Sequence, residues 1–177
     1  TSNHMIVENL INNAGFGNAD AYLDTPWELH KNMVDINVVA LMHLSHLYGN
    51  EMKKRRKGRI LNVASVAAFS AGPYMSVYYA SKAFVFSLSQ AMYEELKGYG
   101  VSVTALCPGP TGTNFENTAG LTNSKMFKVF GVEKADSVVK RGYKGMMRGK
   151  AIVYHSKVTY GFNIITRLVS RKCARNI

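Results

Sequence analysis

The chain is poor in the residues that would place it in several whole classes of protein. Two cysteines in 177 residues cannot build a disulfide framework, and four prolines without any repeat exclude a collagen-like or low-complexity chain. Long apolar runs are also missing. The uncharged stretch at residues 63–81 is broken by Ser, Gly, Pro and Tyr, whereas a spanning helix needs about 20 predominantly apolar residues. Residues 1–11 show no basic start followed by an apolar run, so no signal peptide is read there, and Thr1-Ser2-Asn3-His4 before Met5 has the look of a vector remnant. Acidic residues are scarce in one part only. Residues 1–116 hold nine basic and nine acidic side chains, while residues 117–177 hold thirteen against two, so the whole formal charge of +11 is C-terminal.

What is present is the composition of a folded domain, with 47% hydrophobic and 19% charged residues. Residues 6–177 read as one domain of an intracellular, cytoplasmic protein. Short apolar runs at 7–11, 59–64, 101–107 and 151–155 alternate with amphipathic stretches at 26–52, 76–98 and 134–148, the first of these with Thr25 as N-cap and Pro26 at its first position. Near-continuous apolar strands separated by helices indicate an α/β fold, a doubly wound parallel sheet of Rossmann-like type. Residues 114–131 read as a long polar loop. The run Lys53-Lys54-Arg55-Arg56-Lys57 lies between a helix and a strand and reads as a solvated turn, not a nucleic-acid site.

In such sheets ligands bind beyond the carboxyl ends of the strands. Here the strands run into Asn12-Asn13-Ala14-Gly15, into Ser65 and into Pro108-Gly109-Pro110-Thr111-Gly112-Thr113, a floor of small and hydroxyl-bearing residues that a flat ligand can approach. Tyr78 and Lys82, four apart, project from one helix face. A phenol with a reference pKa of about 10 is a poor proton acceptor at neutral pH, and a neighbouring ammonium would lower it. Ser65 can donate to a substrate oxygen on which charge develops. His43 and His46 lack further ligands at metal spacing, so no metal site is read. Cys107 and Cys173 read as plain thiols, and Tyr79 as packing or substrate lining.

Asn12-Asn13-Ala14-Gly15, Asn37, Ser65, Tyr78-x-x-x-Lys82 and Pro108-Gly109, in this order, resemble the successive signatures of the short-chain dehydrogenase/reductase family. The resemblance covers the chain from Val7 to about Thr113. It implies hydride transfer between NADP or NAD, with NADP favoured, and a ketone, aldehyde or secondary alcohol. Tyr78 would then be the acid/base, Lys82 would lower its pKa and hold the nicotinamide ribose, and Ser65 would hold the substrate oxygen. Asn37 would interrupt its helix and support a proton relay. Asn12, Ala14, Gly15, Pro108, Gly109, Thr111 and Thr113, with Tyr78 and Lys82, would contact the cofactor. A small apolar substrate and a homo-oligomer are also implied, the latter through Phe84, Phe86, Leu88 and Met92.

The chain departs from that pattern in one respect. No T-G-x-x-x-G-x-G turn occurs, and Gly15-Phe16-Gly17-Asn18-Ala19-Asp20 fails G-x-G-x-x-G at its last position. The sequence therefore reads as the C-terminal portion of the fold, with the first strand at a raw edge and weak or absent cofactor binding by this chain. The alternative is a non-catalytic fragment or binding module. The segment from Gly161 to Ile177 places Phe162, Ile165, Leu168 and Val169 at helical spacing and Arg167, Arg171 and Arg175 on another face. It reads as a lid packed over the substrate pocket, or else as a peripheral membrane contact.

Overall fold

The computed structural model describes residues 6–113, 115 and 131–169. In chain order the elements are β1 (Asn9–Asn12), α1 (Trp27–Val34), a π-helical turn (Asp35–Ala40), α2 (Leu41–Arg55), β2 (Gly58–Val63), α3 (Ser76–Leu96), β3 (Val101–Cys107), two-residue strands β4 (Thr111–Gly112) and β5 (Glu133–Lys134), α4 (Ala135–Met147), β6 (Ile152–Tyr154) and α5 (Lys157–Leu168). The main sheet is parallel in the order β1-β2-β3-β6, and β4 pairs with β5 beside it. Among the described residues β1 is one edge of the main sheet and β6 the other.

Alternation along the strands divides the core. Ile60, Val101 and Val103 pack with Met52 of α2, and Val85 of α3 packs with Ala64 and Cys107, all on one face of the sheet. On the other face Leu61, Leu106 and Val153 meet Val138 and Met146 of α4. Cys107 is a free buried thiol whose pKa burial pushes up. A polar chain also runs through the interior. The Asn12 carboxamide donates to Ser45 Oγ (3.0 Å) and to Asn62 Oδ1 (2.8 Å), and Asn62 donates to Ser89 Oγ (2.9 Å). These groups satisfy one another, which removes the cost of burying each alone.

Two local readings change. Thr25 does not cap α1: its hydroxyl donates to the Ala21 carbonyl at 3.0 Å and accepts from Asn18 Nδ2 at 3.3 Å, closing the preceding turn, and the helix starts after Pro26 without a side-chain cap. The helix read over residues 26–52 is divided by the π-helical turn and runs on to Arg55. The basic run ends it as a turn. Arg56 adopts the left-handed conformation (φ 54°), Lys54 pairs with Glu51 at 2.8 Å, Lys57 pairs with Glu8 at 2.7 Å, and Lys53 lies 4.4 Å from the Tyr99 ring centroid. Residues 1–5, 114, 116–130 and 170–177, with the expected vector remnant, most of the polar loop, Arg171, Arg175 and Cys173, lie outside the described residues.

Close packing of α4 depends on a glycine. A Cβ at Gly145 would lie 2.2 Å from Val153 Cγ2, inside the van der Waals contact of a buried strand residue. Gly145→Ala is therefore expected to destabilise the chain by about 1–3 kcal/mol in urea unfolding, although alanine is the better helix former. An unchanged or raised midpoint would show that α4 does not seat on β6 in this way.

Candidate active site

Strands β1, β2 and β3 end on one side of the sheet and place the site there. Beyond β2 and β3 the pairing continues: Ala64 N donates to Leu106 O (2.9 Å) and Val66 N to Pro108 O (2.8 Å), so Ser65 is clamped between two backbone bonds. Its Oγ accepts from Ala67 N at 3.1 Å and starts a short 3-10 turn, Val66–Phe69. The first turns of α3 bring Tyr78 and Lys82 beside it. A cavity of about 720 Å3 is lined by Ser65, Tyr78 and Lys82, by Asn13 and Gly15 after β1, and by Pro108, Gly109, Thr111 and Thr113 after β3. Ile11, Leu61, Val139 and Tyr143 add apolar lining, and Phe115 packs on Tyr78 with ring centroids 5.2 Å apart.

Asn37 stands behind this cavity rather than in its wall. It is buried in the π-helical turn, a feature that inserts one residue into a helix and recurs at functional sites. Its Oδ1 accepts from Phe16 N at 3.0 Å, and its Nδ2 donates to Phe16 O (2.9 Å) and Ser81 Oγ (3.0 Å). Ser81 in turn donates to Tyr78 O at 2.7 Å. The loop after β1 is thereby fixed to the first turns of α3. A Cβ at Gly15 would come 2.9 Å from Asn37 Oδ1 and 3.4 Å from Lys82 Nζ, so glycine is what lets that loop lie against both.

Burial sets the electrostatics. Tyr78 is pushed up to about 12, chiefly by desolvation, with the Ser65 hydroxyl bond pulling the other way. Lys82 is pushed down to about 8 by desolvation. Its Nζ donates to Val63 O at 2.9 Å and lies 5.8 Å from the Tyr78 ring centroid. The expectation that Lys82 lowers the Tyr78 pKa is thus not met here, because the ammonium is turned onto a carbonyl and is itself short of water. Ser65 is the group that lowers it.

Seven of the nine positions read from the sequence as cofactor contacts face the cavity; Asn12 and Ala14 do not line it. Strand alternation explains Asn12. Ile11 and Asn13 point to the cavity side, which puts Asn12 into the polar chain on the opposite face. Asn13 lines the cavity although sequence reasoning did not name it, and the same alternation was the signal for it. Tyr79 packs edge-on against Tyr78, with ring centroids 6.2 Å apart, and is not part of the wall. Among the described residues no three His, Cys, Asp or Glu side chains gather as metal ligands.

A parallel sheet with flanking helices and a buried Ser, Tyr and Lys at its strand ends defines an α/β fold of the Rossmann type. The family profile for short chain dehydrogenases matches residues 2–123, and the chain belongs to that family. It is 33% identical over 121 residues to the probable oxidoreductase EphD of Mycobacterium tuberculosis, covering 68% of this chain and 20% of that protein. It is 36% identical over 90 residues to a 7beta-hydroxysteroid dehydrogenase of Collinsella aerofaciens, covering 51% of this chain and 34% of the relative. Among solved structures, a short-chain dehydrogenase from Sphingobium yanoikuyae in complex with NADPH superposes with a TM-score of 0.77 at 28% identity, over 90% of this chain and 63% of the other. The chain thus spans a fifth to a third of these two curated relatives.

The cavity wall suits the nicotinamide end of such a dinucleotide. Gly15 leaves room for close backbone approach, while Lys82, Asn13, Thr111 and Thr113 offer polar groups around a largely apolar slot. No T-G-x-x-x-G-x-G segment for the phosphates occurs in the 177 residues.

The Lys82 burial has a measurable consequence. The folded chain releases that proton near pH 8 and the unfolded chain near 10.5, so between these values the unfolded state binds more protons and stability rises with pH. Below pH 8 both states are protonated and the full cost remains. Above pH 10 the raised Tyr78 reverses the trend, since the unfolded chain then loses its phenolic proton first. Relative to Lys82→Met, the wild-type chain is expected to gain on the order of 2 kcal/mol from pH 8 to pH 10 in urea unfolding. Parallel curves for the two proteins would refute the desolvation of Lys82.

Proposed function

We propose that the protein is an NAD(P)(H)-dependent oxidoreductase that interconverts a carbonyl and a secondary alcohol, with Tyr78 as acid/base. The observation that carries this reading is Tyr78 and Ser65 sharing a hydrogen bond inside a cavity that Lys82 also lines. A bound nicotinamide would supply or accept the hydride. Lys82, Asn13, Gly15, Pro108, Gly109, Thr111 and Thr113 are the residues that would hold it. Tyr78, protonated at neutral pH, gives its proton to the substrate oxygen in reduction, and Ser65 donates a second bond to that oxygen, where charge develops. Asn37 positions Lys82 and the loop before it and links the pair to the proton relay.

The apolar lining of the cavity favours a small apolar ketone, aldehyde or alcohol. NADP is favoured over NAD, and the location is cytoplasmic. Exposed Val39, Met42 and Leu47 on the π-helical turn and α2, with Phe84 on α3, support a homo-oligomer. By contrast Phe86, Leu88 and Met92 are partly buried against the chain's own core. The alternative is a non-catalytic fragment or binding module that acts through its basic amphipathic C-terminal helix.

Titration separates the two. The 177-residue chain is expected to bind NADPH weakly, and tight binding would contradict the dependence on a Gly-rich turn. In a version of the protein long enough to reduce a ketone, Tyr78→Phe is expected to lower kcat by at least about 100-fold while leaving NADPH affinity nearly intact. Turnover that survives this substitution would remove Tyr78 from the mechanism.

A further inference from the structure

Helix α5 is packed with its polar side inward. Thr159 and Asn163 are buried, Asn163 Nδ2 donates to Tyr154 OH at 2.7 Å, and Thr166 Oγ1 donates back to the carbonyls of Phe162 and Asn163 at 3.1 Å. The outward side carries Val158, Tyr160, Ile164, Ile165 and Leu168, with Ile165 50% and Leu168 81% exposed. A surface helix of a water-soluble domain is ordinarily oriented the other way. None of the described residues of α5 lines the substrate cavity, and its packing is against β6 and the 3-10 turn after Ser65. The described part of this segment thus forms no wall of that cavity and presents an apolar face away from the domain.

Beside this face lies a groove of about 690 Å3 between α4, β6 and α5. Lys140, Arg141, Lys144, Arg148, Lys150 and Lys157 line it, and no carboxylate does. The ion pairs among the described residues are made by other side chains, so these six cations stand without a neutralising acid. Arg141 uses one donor on the carbonyl of His155. Glu133 Oε1 lies 3.1 Å from His155 Nδ1, and Asp136, in the first turn of α4 and four residues before Lys140, makes none of the ion pairs among the described residues. Lys157 and Tyr160 of α5 also line the groove, so the groove and the apolar face adjoin.

We propose that the outward face of α5 and this basic groove together form a docking surface for an anionic phospholipid membrane. The groove takes headgroup phosphates, and the five apolar side chains enter the headgroup boundary. Among the described residues no helix is long and apolar enough to cross a membrane, so the contact is peripheral. Charge complementarity selects this occupant. A second copy docked through the same face would bring two cationic grooves together, and a nucleic acid would leave the five apolar side chains unused. The proposal does not depend on the oxidoreductase reading.

Vesicle sedimentation of the 177-residue chain at about 0.1 M salt tests it. Binding is expected to phosphatidylcholine vesicles containing phosphatidylglycerol and not to phosphatidylcholine alone. Each groove cation removed should lower the partition coefficient about fivefold, so Lys144→Gln with Arg148→Gln lowers it roughly 25-fold. Ile165→Ser with Leu168→Ser should lower it at least about tenfold, with the thermal melt of both variants unchanged. Millimolar inorganic phosphate is expected to leave the bound fraction intact. Equal binding to both vesicle types, no binding, or insensitivity to either pair of substitutions overturns the proposal. So does displacement by phosphate, which would assign the groove to a free anion. A dimer in solution that the Ile165 and Leu168 substitutions dissociate would assign the face to a second copy instead.

Discussion

The Asn37 carboxamide joins three parts of the chain that the site needs together. It takes both backbone groups of Phe16 and the hydroxyl of Ser81, and Ser81 passes the constraint to the carbonyl of Tyr78. A buried amide with these partners costs little, whereas the same amide in a regular helix would have no reason to meet all three. The π-helical turn is the local deviation at Asn37, and the close approach at Gly15 is its counterpart on the loop. With that junction in place, Ser65 is set by the sheet and Tyr78 and Lys82 by α3, and the cavity follows.

The second constraint is the lack of water at this junction. Burial moves the phenol and the ammonium in opposite directions, Tyr78 up to about 12 and Lys82 down to about 8, so both favour their neutral forms. Such a pair is a phenol that keeps its proton at neutral pH beside an ammonium whose charge is sensitive to what enters the cavity. The Ser65 hydroxyl, already bonded to Tyr78, is the one group here that opposes the upward shift of the phenol. Function in this account comes from shared desolvation as much as from the Tyr-x-x-x-Lys spacing.

Much of the fold was legible because its strands are apolar runs. Residues 101–107 were read with their observed limits, and the other strands of the main sheet and α3 fell within two residues of theirs. The site residues Ser65, Tyr78, Lys82 and Asn37 could be placed because strand ends and helix spacing are local properties. What was not legible depended on long-range partners. Thr25 has the residue type of a cap but closes a turn with Ala21, and Asn12 has the type of a cofactor contact but pairs with Asn62 inside the sheet. Periodicity revealed that α5 is amphipathic, yet which side faces the domain is decided by Tyr154, the partner of Asn163. The direction in which the Lys82 ammonium points was likewise set by Val63, a residue nineteen positions away.

The central claim is that folding strips water from Lys82 and holds it beside Tyr78 in a cavity at the strand ends. Heteronuclear NMR of lysine labelled with 13C at Cε reads this directly, with the Lys82 signal assigned by its loss in Lys82→Arg. The account predicts a titration near pH 8. A Lys82 signal that titrates with the surface lysines, near the ordinary value of about 10.4, would contradict it.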